Sequence, residues 1–588
     1  MDPEKGFTKE SPTSSQSLPT YEQGTIQEVP RRKGFGGFID SFKPDPTSSV
    51  TPSGTVGADG NVVKTEKTQA DQLSHTLKGR HLQMIAIGGS IGTGLFVGSG
   101  SALAVGGPGA LIIDFGLIGI MLHCTVHALG EMAVTFPVAG SFAAYSSRFI
   151  DPAWGFAMGW NYALQWLITL PLEIIAASIT ISFWPSAAHI NPAAWVTLFL
   201  GLITSINLFG VQGYGEAEFV FSVIKVVAVL GFIILGICID VGVSHSKGYI
   251  GSRYWYDPGV IHNGFKGVCS VFVTAAFAFG GTELVGLATA ETANPRKTLP
   301  SAIKQVFWRI LLFYMVSLTL VGVLVPYNSD RPLNSGGSSN ANASPFVIAI
   351  TNAGISGLPS VMNVVIMIAV LSVGNSAVYG SSRTLAALTD QGQAPKILDY
   401  IDRSGRPLVS ILVASSIGFL CYLVAAGSDT RNMAFNWMLA ISGLSSIFTW
   451  GSICLCHIRF RKAWKVQGRH LDELAFRSQP GVIGSWIGFI FNCLILVAQF
   501  WTGFAPVGWK SLTPNEVAQN FFEAYLSVPI IMTFYIVFKL WKKTPIRRSH
   551  TIDLVSGVRE LNLAQLLAEE RAEQANWPAW KRAYKIVC

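Results

Sequence analysis

From residue 82 onwards, the chain alternates long apolar segments with short polar loops. A helix needs about 20 mainly apolar residues to cross the hydrocarbon core of a bilayer. Twelve segments reach this length, which predicts an all-α membrane protein with twelve transmembrane helices. The predicted spans cover residues 82–104, 109–136, 153–183, 193–211, 219–240, 267–289, 307–326, 359–388, 407–426, 436–457, 485–505 and 521–541.

The spans divide the chain into an N-terminal tail over residues 1–81, a twelve-helix domain over 82–541 and a C-terminal tail over 542–588. The N-terminal tail is rich in Ser, Thr, Pro, Gly and charge, which predicts disorder. This composition suits a regulatory tail, and equally a merely solubilising one. In the C-terminal tail, leucines at helical spacing between 559 and 574 predict an amphipathic helix at the membrane surface, in contact with lipid. The candidate ubiquitination sites are Lys5, Lys9, Lys33 and Lys43.

Two of the predicted spans are interrupted near their middle, one at residues 88–94 and the other at residues 279–283. Glycine is a weak helix former, and a backbone group freed inside hydrocarbon needs a polar partner. A pair of broken helices in corresponding positions of two halves of a chain is typical of secondary transporters. The pattern therefore predicts a ligand site near the middle of the membrane.

The first break predicts a site for a carboxylate. Freed backbone N–H groups and the positive end of the following half-helix would face the ligand, and the glycines allow its close approach. Alternatively, these glycines serve only the close packing of helices. The candidate carboxylate-binding residues are Ser90, Ile91, Gly92, Thr93 and Gly94.

The second break predicts a site for a positively charged group. Unwound carbonyl groups and the Glu283 carboxylate would receive an ammonium group, while Phe279 would close over it as an aromatic gate. Together the two breaks describe an α-amino acid. Alternatively, Glu283 pairs with a buried cation elsewhere in the bundle. The candidate amino-binding and gating residues are Phe279, Gly280, Gly281, Thr282 and Glu283.

The composition supports a membrane protein, because only 13% of the 588 residues are charged. Lys and Arg concentrate in alternate loops, with fifteen in one set and six in the other. Cytoplasmic loops retain positive charge, so this bias predicts that both termini are cytoplasmic. The net charge of +8 is mostly this topological signal, which argues against nucleic acid as a partner.

An ionisable side chain at the bilayer centre costs roughly 2.5–3.5 kcal/mol unless it is paired or hydrated. Lys225 and Glu173 lie deep inside predicted spans and are candidates for proton coupling. Lys225 could instead be a fixed positive charge. Four other charged residues, Asp114, Glu218, Asp240 and Arg309, fall near span ends, where we expect contact with water.

His123, His127 and Glu131 follow one another at four-residue spacing and form one stripe on the second span. The stripe would relay protons or would only pack through hydrogen bonds. A third ligand is not evident, so no metal site is predicted. The chain also shows no phosphate loop or nucleophile–base arrangement, which argues against an enzyme, and no cofactor is expected.

Several motifs resemble those of fungal amino acid permeases in the amino acid-polyamine-organocation superfamily, and most closely the general amino acid permeases. The resemblance extends over residues 77–545. The motifs are Leu77-Lys78-Gly79-Arg80-His81-Leu82 leading into residues 87–98, Phe279-Gly280-Gly281-Thr282-Glu283-Leu284-Val285-Gly286, Gln305-Val306-Phe307-Trp308-Arg309, residues 344–350, Leu371-Ser372-Val373-Gly374-Asn375-Ser376, and Cys456-His457-Ile458-Arg459-Phe460-Arg461.

This resemblance implies a LeuT-like fold of two inverted five-helix repeats plus two extra helices. It also implies proton-coupled import at the plasma membrane, with endosomal and vacuolar trafficking. Lys225 matches a lysine thought to replace a sodium ion, and Ser372, Asn375 and Ser376 match positions that complete that sodium site in related carriers. Cys588 matches a terminal cysteine that is a palmitoylation candidate, although Ile586 and Val587 replace the usual aromatic pair.

The residues and the resemblance together predict proton-coupled import of L-amino acids with broad specificity by alternating access. The expected partners are the amino acid, protons, membrane lipid and ubiquitin-ligase adaptors on the tails. Two alternatives stay open. The protein would be a permease of narrow specificity, for basic amino acids or proline, or a sensor that binds amino acids without transporting them.

Overall fold

The computed structural model describes residues 35–44, 55–56, 62–63, 77, 79–138, 140–243, 248–292, 295–329, 344–557 and 577–578. Three of the four candidate ubiquitination sites, Lys5, Lys9 and Lys33, lie outside these residues, as do Cys588 and the amphipathic segment at 559–574.

Helices make up nearly all of the described structure. The α-helices are α1 (Phe35–Asp40), α2 (Gly79–Gly88), α3 (Ser99–Thr135), α4 (Ser141–Phe149), α5 (Pro152–Ile181), α6 (Pro185–Ala188), α7 (Pro192–Leu208), α8 (Gly210–Asp240), α9 (Arg253–Tyr256), α10 (Gly264–Phe279), α11 (Leu284–Ala288), α12 (Pro295–Arg309), α13 (Ser317–Leu324), α14 (Pro345–Asn352), α15 (Leu358–Asp390), α16 (Leu408–Gly418), α17 (Ser428–Val466), α18 (Gly481–Phe504), α19 (Pro514–Tyr525) and α20 (Ser527–Lys542).

Shorter elements connect these helices. Two π-helical turns cover Gly94–Gly98 and Ile310–Val316, and 3-10 turns cover Thr289–Glu291, Lys396–Asp399, Phe419–Ala426, Leu471–Glu473 and Trp509–Ser511. The strands β1 (Thr55–Val56) and β2 (Val62–Val63) pair antiparallel.

The prediction of an all-helical protein with many membrane spans is confirmed. Among the described residues, nine helices are long and apolar enough to cross a membrane, or ten if the bent pair of α19 and α20 is one span. The difference from the predicted twelve has two causes. Residues 94–135 form one helical stretch of 42 residues that contains the end of the first predicted span and all but the last residue of the second one, and α7 has only 17 residues.

The long stretch bends sharply at Gly107, whose φ of 80° lies outside the helical region and which precedes Pro108. Backbone groups freed at this bend are paired with the loop before α10. His262 N–H donates to the Gly106 carbonyl at 2.9 Å, Gly109 N–H donates to the Val260 carbonyl at 2.8 Å, and Asn263 Nδ2 donates to the Val105 carbonyl at 2.9 Å.

Both predicted helix breaks are present. Residues 89–93 separate α2 from the π-helical turn, and residues 280–283 separate α10 from α11. At the second break Gly281 has a φ of 93°, which favours glycine. Helix α5 runs past both breaks and is buried along most of its length, whereas α8 exposes apolar side chains such as Val227 and Ile234. An exposed apolar stripe on a spanning helix faces lipid.

A short part of the N-terminal tail differs from the predicted disorder. Residues 35–44 form α1 and a turn that pack on the loop between α15 and α16. Arg403 lies 2.5 Å from Asp40, the guanidinium of Arg406 stacks 4.3 Å from the ring centre of Phe42, and Tyr400 donates a hydrogen bond to the Phe42 carbonyl at 2.6 Å. Apolar and charged groups of this segment contact the loop between α15 and α16, and these contacts cannot be predicted from the composition of the tail. Lys43, the fourth candidate ubiquitination site, stays exposed beside Asp40.

Candidate functional site

A small cavity lies where the two helix breaks face each other. It contains four of the five candidate carboxylate-binding residues, and Ile91 is buried outside it. Its described lining residues are Ser90, Gly92, Thr93, Gly94, Gln165, Trp166, Thr169, Glu173, Phe277, Gly280, Val373 and Ser442. Sequence reasoning missed Gln165, Trp166, Thr169, Phe277, Val373 and Ser442, because small polar and aromatic residues in a span carry no distinctive signal.

The glycines of the first break serve close packing as well as access to the cavity. A Cβ atom on Gly94 would collide with the backbone of Ala278 in α10, and one on Gly92 would collide with Val373 in α15. The N–H of Ile91 donates to the Gly88 carbonyl at 3.0 Å, so this amide is already used. Gly92 and Gly94 therefore pack closely against α15 and α10 and also line the cavity, and carboxylate binding at this break stays a prediction.

Glu173 lies on the cavity wall and is joined to the first break. Thr93 Oγ1 donates a hydrogen bond to Glu173 Oε2 at 2.5 Å, and both side chains are fully buried. The neighbouring turns of α5 bond to α17, with Gln165 Nε2 donating to Ser446 Oγ at 2.9 Å and Thr169 Oγ1 lying 2.8 Å from Ser442 Oγ. A carboxyl group that can take up a proton thus contacts the broken helix directly.

Lys225 on α8 holds the end of α2 where the first break begins. Its Nζ atom donates to the Gly88 carbonyl at 2.6 Å and to Ser372 Oγ at 2.8 Å. It also lies 3.4 Å from Glu218 Oε1. The expectation that Glu218 reaches water is wrong, because its side chain is fully buried. Asn375 and Ser376 have other partners, Asn207 at 2.9 Å and Tyr214 at 3.1 Å.

The second break contributes less to the cavity lining than the first. The ring of Phe279, the predicted gate, stacks on Tyr314 with 4.1 Å between ring centres, is fully buried and is not among the described lining residues. Of the predicted residues only Gly280 reaches the cavity lining, next to Phe277. Glu283 accepts hydrogen bonds from Trp450 Nε1 at 3.1 Å and from the Gly281 N–H at 3.3 Å.

Arg309 and Tyr314 connect the two breaks. Arg309 was expected at a span end, but it is fully buried, donates to the Ala86 carbonyl at 2.5 Å and donates to Thr282 Oγ1. Tyr314 donates to the Ala278 carbonyl at 2.8 Å and lies 3.1 Å from the Ser90 carbonyl oxygen. Carbonyl groups freed by helix unwinding are thus paired inside the protein, as the absence of water in hydrocarbon requires.

Glu131 lies outside the cavity. It accepts hydrogen bonds from Arg461 Nη2 at 2.7 Å and from the Ser478 N–H at 2.7 Å, and it lies 3.1 Å from His457 Nε2. These contacts join α3 to α17 and favour the packing interpretation of the stripe. Among the described residues, no group of three His, Cys, Asp or Glu side chains is placed to hold a metal ion.

A bundle of membrane-spanning helices with two facing breaks and a small cavity between them, lined by both polar and apolar residues, defines a membrane transporter for a small solute. The chain belongs to the amino acid permease family, whose sequence pattern matches residues 81–551. This family consists of transporters, not enzymes, and the match confirms the resemblance seen in the motifs.

The most similar relatives include two general permeases. The chain is 57% identical to the general amino-acid permease GAP2 of Candida albicans, covering 95% of this chain and 94% of that protein. It is 51% identical to the general amino-acid permease GAP1 of Saccharomyces cerevisiae, covering 96% and 93%. It is also 47% identical to the cationic amino acid transporter 1 of Schizosaccharomyces pombe, covering 99% and 96%.

Proposed function

We propose that this permease imports a broad range of L-amino acids across the plasma membrane, coupled to protons, by alternating access of two inverted repeats. Membership of the amino acid permease family supports the substrate class. The names of the two general permeases support the breadth.

The cavity at the helix breaks is the observation that carries this proposal. The helical segment after the first break begins at Gly94 and directs its positive end towards the cavity, which suits a carboxylate. Helix α10 ends at Phe279, and Phe277 and Gly280 at this end line the same cavity. Although the Ala278 and Phe279 carbonyls are already paired, the negative end of the helix dipole suits an ammonium group there. A free α-amino acid carries both groups.

Proton coupling is assigned to Glu173. As a carboxylate it accepts the hydrogen bond from Thr93, whereas a protonated carboxyl can donate one instead. A change of protonation therefore alters a contact between α5 and the first break. This gives the proton a direct effect on the substrate site.

Uptake of labelled amino acids tests the proposal. A host that lacks its own permeases would express the protein, and accumulation would be measured with and without a protonophore. We expect accumulation that the protonophore abolishes. Failure of surface-localised protein to take up any amino acid would contradict the proposal, and binding without accumulation would identify a sensor.

Glu173→Gln tests the assigned proton carrier, because it removes the titrating group and keeps the side-chain shape. We expect accumulation to fall at least about tenfold, because without the titrating group the proton gradient cannot concentrate the substrate; this is a conservative figure beside the roughly 10²–10⁴-fold effects of a lost proton-transfer group. Exchange of labelled for unlabelled amino acid across the membrane should persist. The matched control is Glu516→Gln, an exposed carboxylate at the start of α19. Wild-type accumulation by Glu173→Gln would remove Glu173 from coupling.

Narrower specificity is the second candidate, since similar relatives include a cationic amino acid transporter and an S-adenosylmethionine permease. Among the described lining residues, the single carboxylate is Glu173, which is bonded to Thr93. The cavity therefore offers no second acid for a cationic side chain, which favours neutral substrates. Competition of each common amino acid against one labelled substrate separates the two possibilities.

A further inference from the structure

We propose that Glu218 is a positioning residue of the substrate site: together with Ser372 it fixes Lys225, and Lys225 holds the Gly88 carbonyl at the first helix break. This inference rests on the proposed function, because it assigns a role in substrate binding. It concerns a residue that does not line the cavity.

Glu218 and Lys225 lie seven residues apart on α8, which is two helical turns, so both side chains lie on one face. Lys225 Nζ has three N–H donors, and the structure places three acceptors around it: Gly88 O at 2.6 Å, Ser372 Oγ at 2.8 Å and Glu218 Oε1 at 3.4 Å.

The hydroxyl groups of two serines lie beside the Glu218 carboxylate. Ser372 Oγ donates to Oε2 at 2.6 Å, and Ser222 Oγ lies 3.3 Å from Oε1. Ser372 thus accepts from Lys225 and donates to Glu218, which closes a ring of three side chains. All three are fully buried, so water does not compete for these contacts.

The ring joins α8, which carries Lys225 and Glu218, to α15, which carries Ser372, and it holds the last residue of α2. The cavity residues Ser90 and Thr93 follow Gly88 within five positions. If Glu218 is removed, a buried charge loses its partner and Ser372 loses its acceptor. Lys225 is then held less firmly against the Gly88 carbonyl, the break becomes more mobile, and substrate affinity falls.

A stability comparison tests the interaction without any transport measurement. Four purified full-length proteins in detergent are compared by thermal unfolding: wild type, Glu218→Gln, Lys225→Met, and the variant with both substitutions. We expect each single substitution to lower the midpoint more than the double substitution does, since removing one partner leaves an uncompensated buried charge. Additive effects would show that the two residues do not interact, and would overturn the proposal.

Uptake kinetics test the positioning role. We expect Glu218→Gln to raise the KM for the labelled amino acid roughly tenfold, with a smaller change in maximal rate per surface transporter. Glu218→Asp should recover part of the affinity. The matched control is Glu216→Gln on the same helix, whose partly exposed carboxylate pairs with Arg80 and His81; its KM should stay near the wild-type value.

An unchanged KM in Glu218→Gln would overturn the inference whatever the stability data show. If instead the wild type transports no amino acid while the stability coupling is present, the proposed function fails and the interaction between Glu218 and Lys225 stands. The two failures are therefore distinguishable.

Discussion

At the scale of single residues, the hydroxyl of Thr93 is the contact between the first helix break and Glu173. Thr93→Val keeps the side-chain shape but leaves the buried carboxyl without this donor, which costs about 1–3 kcal/mol. We expect the KM for amino acid uptake to rise roughly tenfold, because 1.4 kcal/mol corresponds to a factor of ten. Thr93→Ser, which keeps the hydroxyl, should behave like the wild type. Equal KM values in Thr93→Val and the wild type would show that this bond does not shape the site.

Gly94 lies at a close contact between the two broken helices. An alanine there would place its methyl group against the backbone of Ala278, and backbone cannot move aside as a side chain can. We expect Gly94→Ala to lower uptake at least about tenfold and the unfolding midpoint as well, because overpacking typically costs about 1–3 kcal/mol. Gly201→Ala on α7 is the matched control, since nothing lies within 4 Å of its added methyl group. Normal uptake by Gly94→Ala would show that the two breaks can move apart without loss of transport.

The residue scale also shows what one sequence can reveal of the site. Ser90, Thr93, Gly94 and Glu173 were identified because glycines and acids inside a span are expensive and therefore stand out. The orientation of the Phe279 ring towards Tyr314 could not be predicted. It depends on packing across α10 and the π-helical turn at 310–316, and no local pattern encodes that packing.

At the scale of elements, the predicted segments are helical, as expected, but two of them begin too late in the sequence. Helix α8 begins at Gly210 rather than at 219, so Glu218 lies inside it and not at its edge. The helical stretch with α12 begins at Pro295 rather than at 307, which places Arg309 in its interior. A hydropathy pattern detects only the apolar part of a helix and ends the predicted span at the first polar residues. The helix itself extends further where buried polar side chains are hydrogen-bonded to other residues of the protein.

The short helix α1 and the turn after it form an element whose attachment can be measured. The variant Asp40→Asn/Phe42→Ala removes the ion pair with Arg403 and the ring beneath Arg406. We expect amide hydrogen exchange in residues 35–44 to accelerate roughly tenfold, because the lost contacts are together worth about 1–2 kcal/mol. Lys43→Gln is the control, since it affects only an exposed pair with Asp40. Unchanged exchange in the double variant would show that other contacts hold this segment.

At the scale of the whole molecule, the distribution of Lys and Arg predicts one orientation in the membrane. Ser252 lies in a loop predicted to be outside and Ser404 in a loop predicted to be inside, and both are exposed. A membrane-impermeant maleimide applied to intact cells should label Ser252→Cys above the wild-type background and should not label Ser404→Cys. After permeabilisation both should react. Labelling of Ser404→Cys in intact cells would reverse the assigned orientation.

The bend at Gly107 has a consequence for how the chain is made. The Val105 carbonyl at this bend is bonded to Asn263, a residue 158 positions further along the sequence. During synthesis, the first helices enter the bilayer long before that partner emerges from the ribosome. The bend at Gly107 therefore reaches its final hydrogen bonding only after the loop before α10 has been synthesised and has packed against it. Truncated chains that end before this loop would keep unpaired backbone groups, and the quality control of the cell can recognise such chains as unfinished.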